Sequence, residues 1–136
     1  MIRPASPYAL ALIFGLTTAA TAQEKPVVPV PSGQIVILHE VLIDDAPGET
    51  WVRFRFVAPQ IARQGGDITN DTATTDMDHL CDNVALPYLA EYDLTPVRIV
   101  ISLSDRQIPF GAASPDTTQF FETYRQEDAR CILENF

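Results

Sequence analysis

Two stretches in the first half of the chain carry clear hydrophobic patterns. Residues Gln34 to Ile43 (QIVILHEVLI) are apolar at both odd and even positions, which predicts a strand covered on both faces. Asp44 to Thr50 (DDAPGET) predicts a turn, and Trp51 to Ala58 (WVRFRFVA) alternates as a half-buried strand does. The alternation places Val52, Phe54 and Phe56 on one face and Trp51, Arg53 and Arg55 on the other.

The middle of the chain predicts one helix after an exposed loop. Gln60 to Thr74 is polar and contains Gly65-Gly66, so we expect a loop there. Thr75 is a good N-cap, and apolar residues then recur at helical spacing, with Cys81 on the buried side. Because Pro87 lies inside this pattern, we expect a kink or restart, and an end by Tyr92.

The last third predicts two further strands, a short edge segment and a second helix. Val97 to Ser104 (VRIVISLS) is a near-continuous apolar strand, and Pro109 makes Gln107 to Gly111 an edge strand at best. Ser114-Pro115-Asp116 has the residues of a helix start, and Arg130 to Phe136 alternates weakly as a last strand. The buried side of this second helix would consist of Phe120, Phe121 and Tyr124.

These elements follow the order ββαββαβ. Such an order predicts an α+β fold, with a mostly antiparallel sheet of four to five strands and two helices packed on one face.

The first 22 residues have the parts of an export signal. Arg3 precedes a short apolar run from Ala9 to Leu16, and Ala20-Thr21-Ala22 is a small-residue cleavage site. We therefore expect cleavage after Ala22 and a periplasmic protein with no transmembrane segment in the mature chain, although an uncleaved N-terminal anchor is the alternative.

The mature chain is expected to contain a lead and one domain. Residues 23–33 hold three prolines and predict an extended, polyproline-like lead. Residues 34–136 have a length that suits one domain and is too short for two.

Charge and cysteine content narrow the function further. The chain has 18 acidic residues against 9 lysines and arginines, which disfavours nucleic acid as a partner. Cys81 and Cys131 are its two cysteines, and in an oxidising compartment they predict one disulfide. A redox or metal role for them is the alternative, but Cys131 lies near neither a CxxC motif nor a cluster of ligands.

Two groups of residues are candidates for chemistry or binding. Arg53 and Arg55, beside Trp51, could hold a carboxylate, a phosphate or an acidic partner, or they could pair with Glu40 or Glu49 across the hairpin. The turn at Asp105 and Arg106 is a second contact candidate.

On the predicted helix, Asp76, His79 and Asp82 would lie opposite the core face. A metal site there is geometrically feasible, while a solvated acidic face is the ordinary explanation for such a group.

Four runs of this sequence are similar to a family of small exported alphaproteobacterial proteins without an assigned function. The resemblance covers most of Gln34 to Phe136, and it implies an envelope location with no catalytic residues to transfer. The runs are WVRFRFVAP (51–59), DMDHLC with ALPYLAEY (76–92), RIVISLSDR (98–106), and TQFFETYR with the late Cys-Ile (118–132).

Known catalytic and cofactor motifs are absent from the sequence, so we expect no cofactor and lean against an enzyme. The leading hypothesis is a non-catalytic periplasmic accessory or binding protein whose partner is an envelope protein or a small anionic ligand. The alternatives are a small metal-dependent hydrolase and a purely structural envelope component.

Overall fold

The fold is an α+β arrangement with one mixed sheet of five strands. The structure is a computed structural model that describes residues 2–5, 11–17 and 25–134. The strands are β1 (Ile37–Asp44), β2 (Trp51–Val57), β3 (Arg98–Ser104), β4 (Gln119–Glu127) and β5 (Arg130–Glu134). Their spatial order is β1-β2-β3-β4-β5. The α+β class and the last strand are confirmed, but the sheet is mixed because β2 and β3 are parallel.

The parallel pair is connected by one continuous helix across residues 70–91. It begins as α1 (Asn70–Leu80), widens into a π-helical turn (Cys81–Ala85) and ends as α2 (Leu86–Glu91). A crossover of this kind is what a parallel strand pair requires. Within the described residues this is the only segment longer than one turn that is helical.

The helix starts six residues earlier than its sequence predicts. Thr69 is the N-cap, and its hydroxyl accepts a hydrogen bond from the Thr72 backbone N–H. The first turn faces solvent and is therefore polar. This polar pattern predicts a loop over 60–74, but residues 70–74 are helical. The π-helical turn immediately precedes Pro87 and gives its ring room, so the chain continues without a restart and ends before Tyr92 as expected.

The expected second helix is wrong, because most of this segment forms β4. The residues Phe120 and Tyr124 point to the core side of the sheet, while Phe121 between them points to the other side and is 67% exposed. The buried strand β3 needs a hydrogen-bonding partner on its second edge, and β4 supplies it. The expected edge strand at 107–111 is also wrong, since these residues form a loop.

The lead packs on the domain over residues 25–33. Val28 donates a backbone hydrogen bond to Val36 at 2.8 Å, and Val30 joins the core. Gly33, with φ 77°, closes a turn by donating to the Val30 carbonyl at 3.0 Å. The expected cleavage site at Ala20–Ala22 lies outside the described residues.

The core lies between the helix and one face of the sheet. Buried side chains of β2 and β3 meet Met77, Leu80 and Leu89 of the helix. Cys81 and Cys131 form the predicted disulfide, with an S–S distance of 2.00 Å and a Cα–Cα distance of 6.1 Å. The bond joins the helix to β5. Among the described residues, the opposite face of the sheet carries no helix. No described helix is both long and apolar enough to cross a membrane.

Candidate functional site

The open face of the sheet presents the polar side of β2. Trp51, Arg53 and Arg55 lie there because the alternate residues of the strand are buried against the helix. The three side chains therefore share one face, as the alternation of the sequence predicts. Across the hairpin, Arg53 is opposite Leu42 and Arg55 is opposite Glu40.

Both arginines form ion pairs with carboxylates of β1. Arg55 donates from Nη1 to Glu40 at 3.0 Å, and Arg53 donates from Nε to Asp44 at 2.8 Å. The Arg53 hydrogen bond lowers the pKa of the Asp44 carboxyl below its usual value. The cross-hairpin pairing expected for Glu40 is confirmed, whereas Glu49 instead accepts a hydrogen bond from the Trp51 indole at 2.9 Å.

The segment 105–118 folds over this face and places an aromatic ring on the arginines. Pro109 and Ala112 close a turn with a 3.1 Å hydrogen bond, and Gly111 adopts the positive φ of 78° that the turn requires. Phe110 lies at the tip of this turn. Its ring centre is 5.3 Å from the guanidinium carbon of Arg53 and 5.6 Å from that of Arg55, which are cation–π distances.

Arg55 anchors the segment from below. Its Nη2 donates to the backbone carbonyl of Ile108 at 2.8 Å, and its side chain is only 7% exposed. Both Nη nitrogens of Arg55 are thus committed to protein acceptors. The residue therefore holds the loop in place and has little capacity left for a ligand.

Arg53 differs from Arg55 because only its Nε is engaged. Its two Nη nitrogens make no hydrogen bond to any other part of the chain that the structure describes. The guanidinium carbon lies over the rings of Trp51 and Phe110, with each ring centre 5.3 Å away. The two Nη nitrogens of Arg53 therefore keep donors that no acceptor among the described residues uses.

Between the segment 105–118 and the sheet is a cavity of about 280 Å³. Its wall combines the two arginines with apolar side chains and a few neutral polar ones. Two aromatic residues, Phe110 and Phe121, are largely exposed at it. The full lining is Arg53, Arg55, Val100, Ser102, Ile108, Pro109, Phe110, Gly111, Ala112, Gln119 and Phe121.

Asp105 and Arg106, the second predicted contact pair, do not line this cavity. Arg106 bonds Asp105 at 3.2 Å and the Asp116 carbonyl at 3.2 Å, which ties the two ends of the segment 105–118 together. They contribute instead to a separate cavity of about 240 Å³ beside Arg63. Their contact role stays a prediction.

The proposed metal ligands are not brought together. Asp76 is fully buried, so its predicted position opposite the core is wrong, and it accepts hydrogen bonds from Ser32 and Gln34. His79 lies against Asn83 at 3.2 Å, and Asp82 accepts from the Cys131 backbone N–H at 2.8 Å. Within residues 25–134 and the two short N-terminal stretches, no group of three or more potential ligands could hold a metal ion.

A buried tyrosine links the helix to β4 at a place that the sequence does not indicate. Tyr124 donates to Asp78 at 2.6 Å, and burial together with this hydrogen bond raises the pKa of the Tyr124 hydroxyl. Burial and the nearby Asp78 also raise the pKa of Glu122. The position of Tyr124 in β4 brings its hydroxyl to Asp78, whereas the helix predicted for this segment gives no sign of the contact.

Sequence reasoning missed the two aromatic residues of the cavity. The sequence pattern predicts Phe110 in an edge strand and Phe121 on the buried side of a helix, and both predictions are wrong. The available signal was the Pro-Phe-Gly run at 109–111, which is typical of a turn that exposes its second residue.

The described residues define an α+β protein with a mixed five-stranded sheet, one disulfide and an arginine-lined cavity on the open sheet face. Residues 12–136 match a family of unknown function, DUF6497, and the chain belongs to that family. No curated protein and no solved structure matches the chain.

Proposed function

We propose that this chain is an exported, non-catalytic binding protein whose ligand site is the cavity between β2 and the segment 105–118. The observation that carries the proposal is Arg53, whose Nη nitrogens have no acceptor among the described residues and whose side chain lines a largely apolar cavity. Small-molecule sites commonly combine an apolar wall with a few placed polar groups.

The chemistry of the wall favours binding over catalysis. Among the residues that the structure describes, Arg53 and Arg55 are the only ionisable ones that line the cavity, and a guanidinium stays protonated throughout the physiological pH range. Such groups bind and orient an anion, whereas proton transfer would need a group that titrates near neutral pH.

The proposed export rests on the N-terminal signal pattern and on the disulfide. A disulfide persists in an oxidising compartment such as the periplasm, and a domain of this size gains much of its stability from one. The proposed location is therefore the periplasm, with cleavage after Ala22.

Capture from the cell envelope of the source organism tests the proposed site. Immobilised residues 23–136 are compared with Arg53→Glu and with Arg125→Glu, a matched charge change on the same sheet face outside the cavity. We expect the wild type and Arg125→Glu to retain the same molecules, measured by mass spectrometry of the eluate, and Arg53→Glu to lose them. Equal retention by all three proteins would show that the cavity is not the binding site.

The alternative of a metal-dependent hydrolase is disfavoured, because no group of three or more potential ligands among the described residues could hold a metal ion. Metal analysis of protein purified without chelator, compared with His79→Ala, decides it, since loss of a bound metal in the variant would favour the hydrolase.

A further inference from the structure

We propose, on the basis of the function proposed above, that the cavity takes a small organic acid with one carboxylate on an apolar, aromatic body. The inference follows from the hydrogen-bonding capacity that Arg53 has left, the composition of the wall and the size of the space. Each of these observations restricts the ligand independently.

The charge restricts the ligand to a single anionic group. Each arginine is paired with a carboxylate, Arg55 with Glu40 and Arg53 with Asp44. Arg55 uses both Nη nitrogens, because its second one donates to Ile108, whereas Arg53 uses only Nε, so among the described residues Arg53 is the guanidinium at the cavity with donors to spare. Its Nη edge presents two parallel N–H groups, and this geometry matches the two oxygens of a carboxylate. A phosphate dianion would need more positive charge than this partly neutralised pair provides.

The wall restricts the rest of the ligand to an apolar body. Val100, Ile108, Phe110 and Phe121 surround the space that adjoins Arg53. Phe110 and Phe121 are 54% and 67% exposed. Covering a large aromatic side chain removes apolar surface from water, which lowers the free energy. An aromatic ring beside them would cover both.

The volume restricts the ligand to a small molecule. A cavity of about 280 Å³ lies at the lower limit of ligand pockets, which are commonly 300–1,000 Å³. A single ring with a short acidic side chain fits this space.

Titration with 3-phenylpropanoate and with its neutral amide tests the proposal. Trp51 is the only tryptophan of the chain and stacks on Arg53, so its fluorescence reports occupation of the Nη edge. We expect the acid to bind at least about tenfold more tightly than the amide, because the amide lacks the charge-assisted hydrogen bonds. Calorimetry of the same titrations provides a readout that does not depend on Trp51.

Two variants and a control separate the contributions. Arg53→Gln should weaken binding of the acid by about tenfold or more and leave the amide unchanged. Phe110→Ala should weaken both compounds, since both carry the ring. Arg125→Gln removes a charge from the same sheet face and should change neither affinity.

No saturable binding of the acid, or equal affinity for acid and amide, would overturn this ligand class. The envelope capture separates that failure from failure of the proposed function. If capture still depends on Arg53, the cavity binds a ligand of another class; if it does not, both proposals fall.

Discussion

At the residue scale, the β4–β5 turn contains two residues with a backbone conformation that side chains disfavour. Asp128 has φ 49° and Ala129 has φ 60°. They are the two residues between the strands, and a two-residue hairpin with positive φ at both positions is a type I′ turn. Glycine is preferred at the second position because a Cβ in the left-handed region costs about 1–2 kcal/mol.

Ala129→Gly should therefore stabilise the protein. We expect a gain of about 0.5–1 kcal/mol in the free energy of unfolding. Glycine removes the backbone strain at the positive φ, but its greater freedom in the unfolded chain offsets part of this stabilisation. Urea denaturation measures the change. Ala113→Gly, at a position without positive φ, should give no gain, and an equal gain there would contradict the explanation.

Glu122 is a second residue in unfavourable surroundings, because they disfavour the charged form of its carboxyl. Burial first, and then the negative charge of Asp78, raise its pKa above the usual 4.5. The folded protein therefore holds this proton more tightly than the unfolded chain does. The contribution of Glu122 to stability is most favourable at low pH and falls as the pH rises through the interval above 4.5.

Glu122→Gln should remove this pH-dependent cost. At pH 7 we expect a gain below about 1 kcal/mol in the free energy of unfolding, because solvent reaches part of the side chain. The gain should shrink towards pH 4, where the wild-type carboxyl takes up its proton. The control is Asp67→Asn, which likewise removes one negative charge but at an exposed side chain. A gain from Glu122→Gln that does not depend on pH would refute the explanation by the raised pKa.

At the element scale, residues 25–33 of the lead contact both the helix and the core. Ser32 and Gln34 satisfy the buried carboxylate of Asp76 in the helix, and Ser32 lies within the lead. Val30 is 9% exposed and contributes to the core. The lead therefore fastens the helix to β1, which is the first strand of the sheet.

Removal of the lead should destabilise the remaining domain. We expect residues 34–136 to lose about 2–4 kcal/mol relative to residues 23–136, from one buried valine and from hydrogen bonds to a buried carboxylate. Chemical denaturation of the two chains measures the difference. Equal stability of the two chains would contradict this expectation and leave the domain boundary at Gln34.

At the scale of the whole molecule, the two faces of the sheet have different roles. One face packs on the helix, to which the disulfide fastens β5 across a loop of 50 residues. The other face carries ion pairs and is covered in part by the segment 105–118. The core and the disulfide therefore lie on one face of the sheet, and the candidate binding site lies on the other. We expect substitutions of cavity residues such as Phe110 to have little effect on the core.

The sequence by itself determined the strands whose patterns repeat over several residues, as well as the disulfide. In β2 the alternation places Arg53 and Arg55 on the same face of the strand. Cys81 and Cys131 are the two cysteines of the chain, so a disulfide within it can join only these two. These features depend on local periodicity and on residue counts, which can be read directly from a chain.

Only the tertiary structure decided whether residues 114–124 form a helix or a strand, and where the cavity lies. The aromatic spacing there suits a helix or a strand, and the unpaired edge of β3 selected the strand. The position of Phe110 over Arg53 likewise depends on residues more than 50 positions apart. Contacts between distant residues, formed to satisfy backbone donors and cover apolar surface, leave no periodic signal in the sequence.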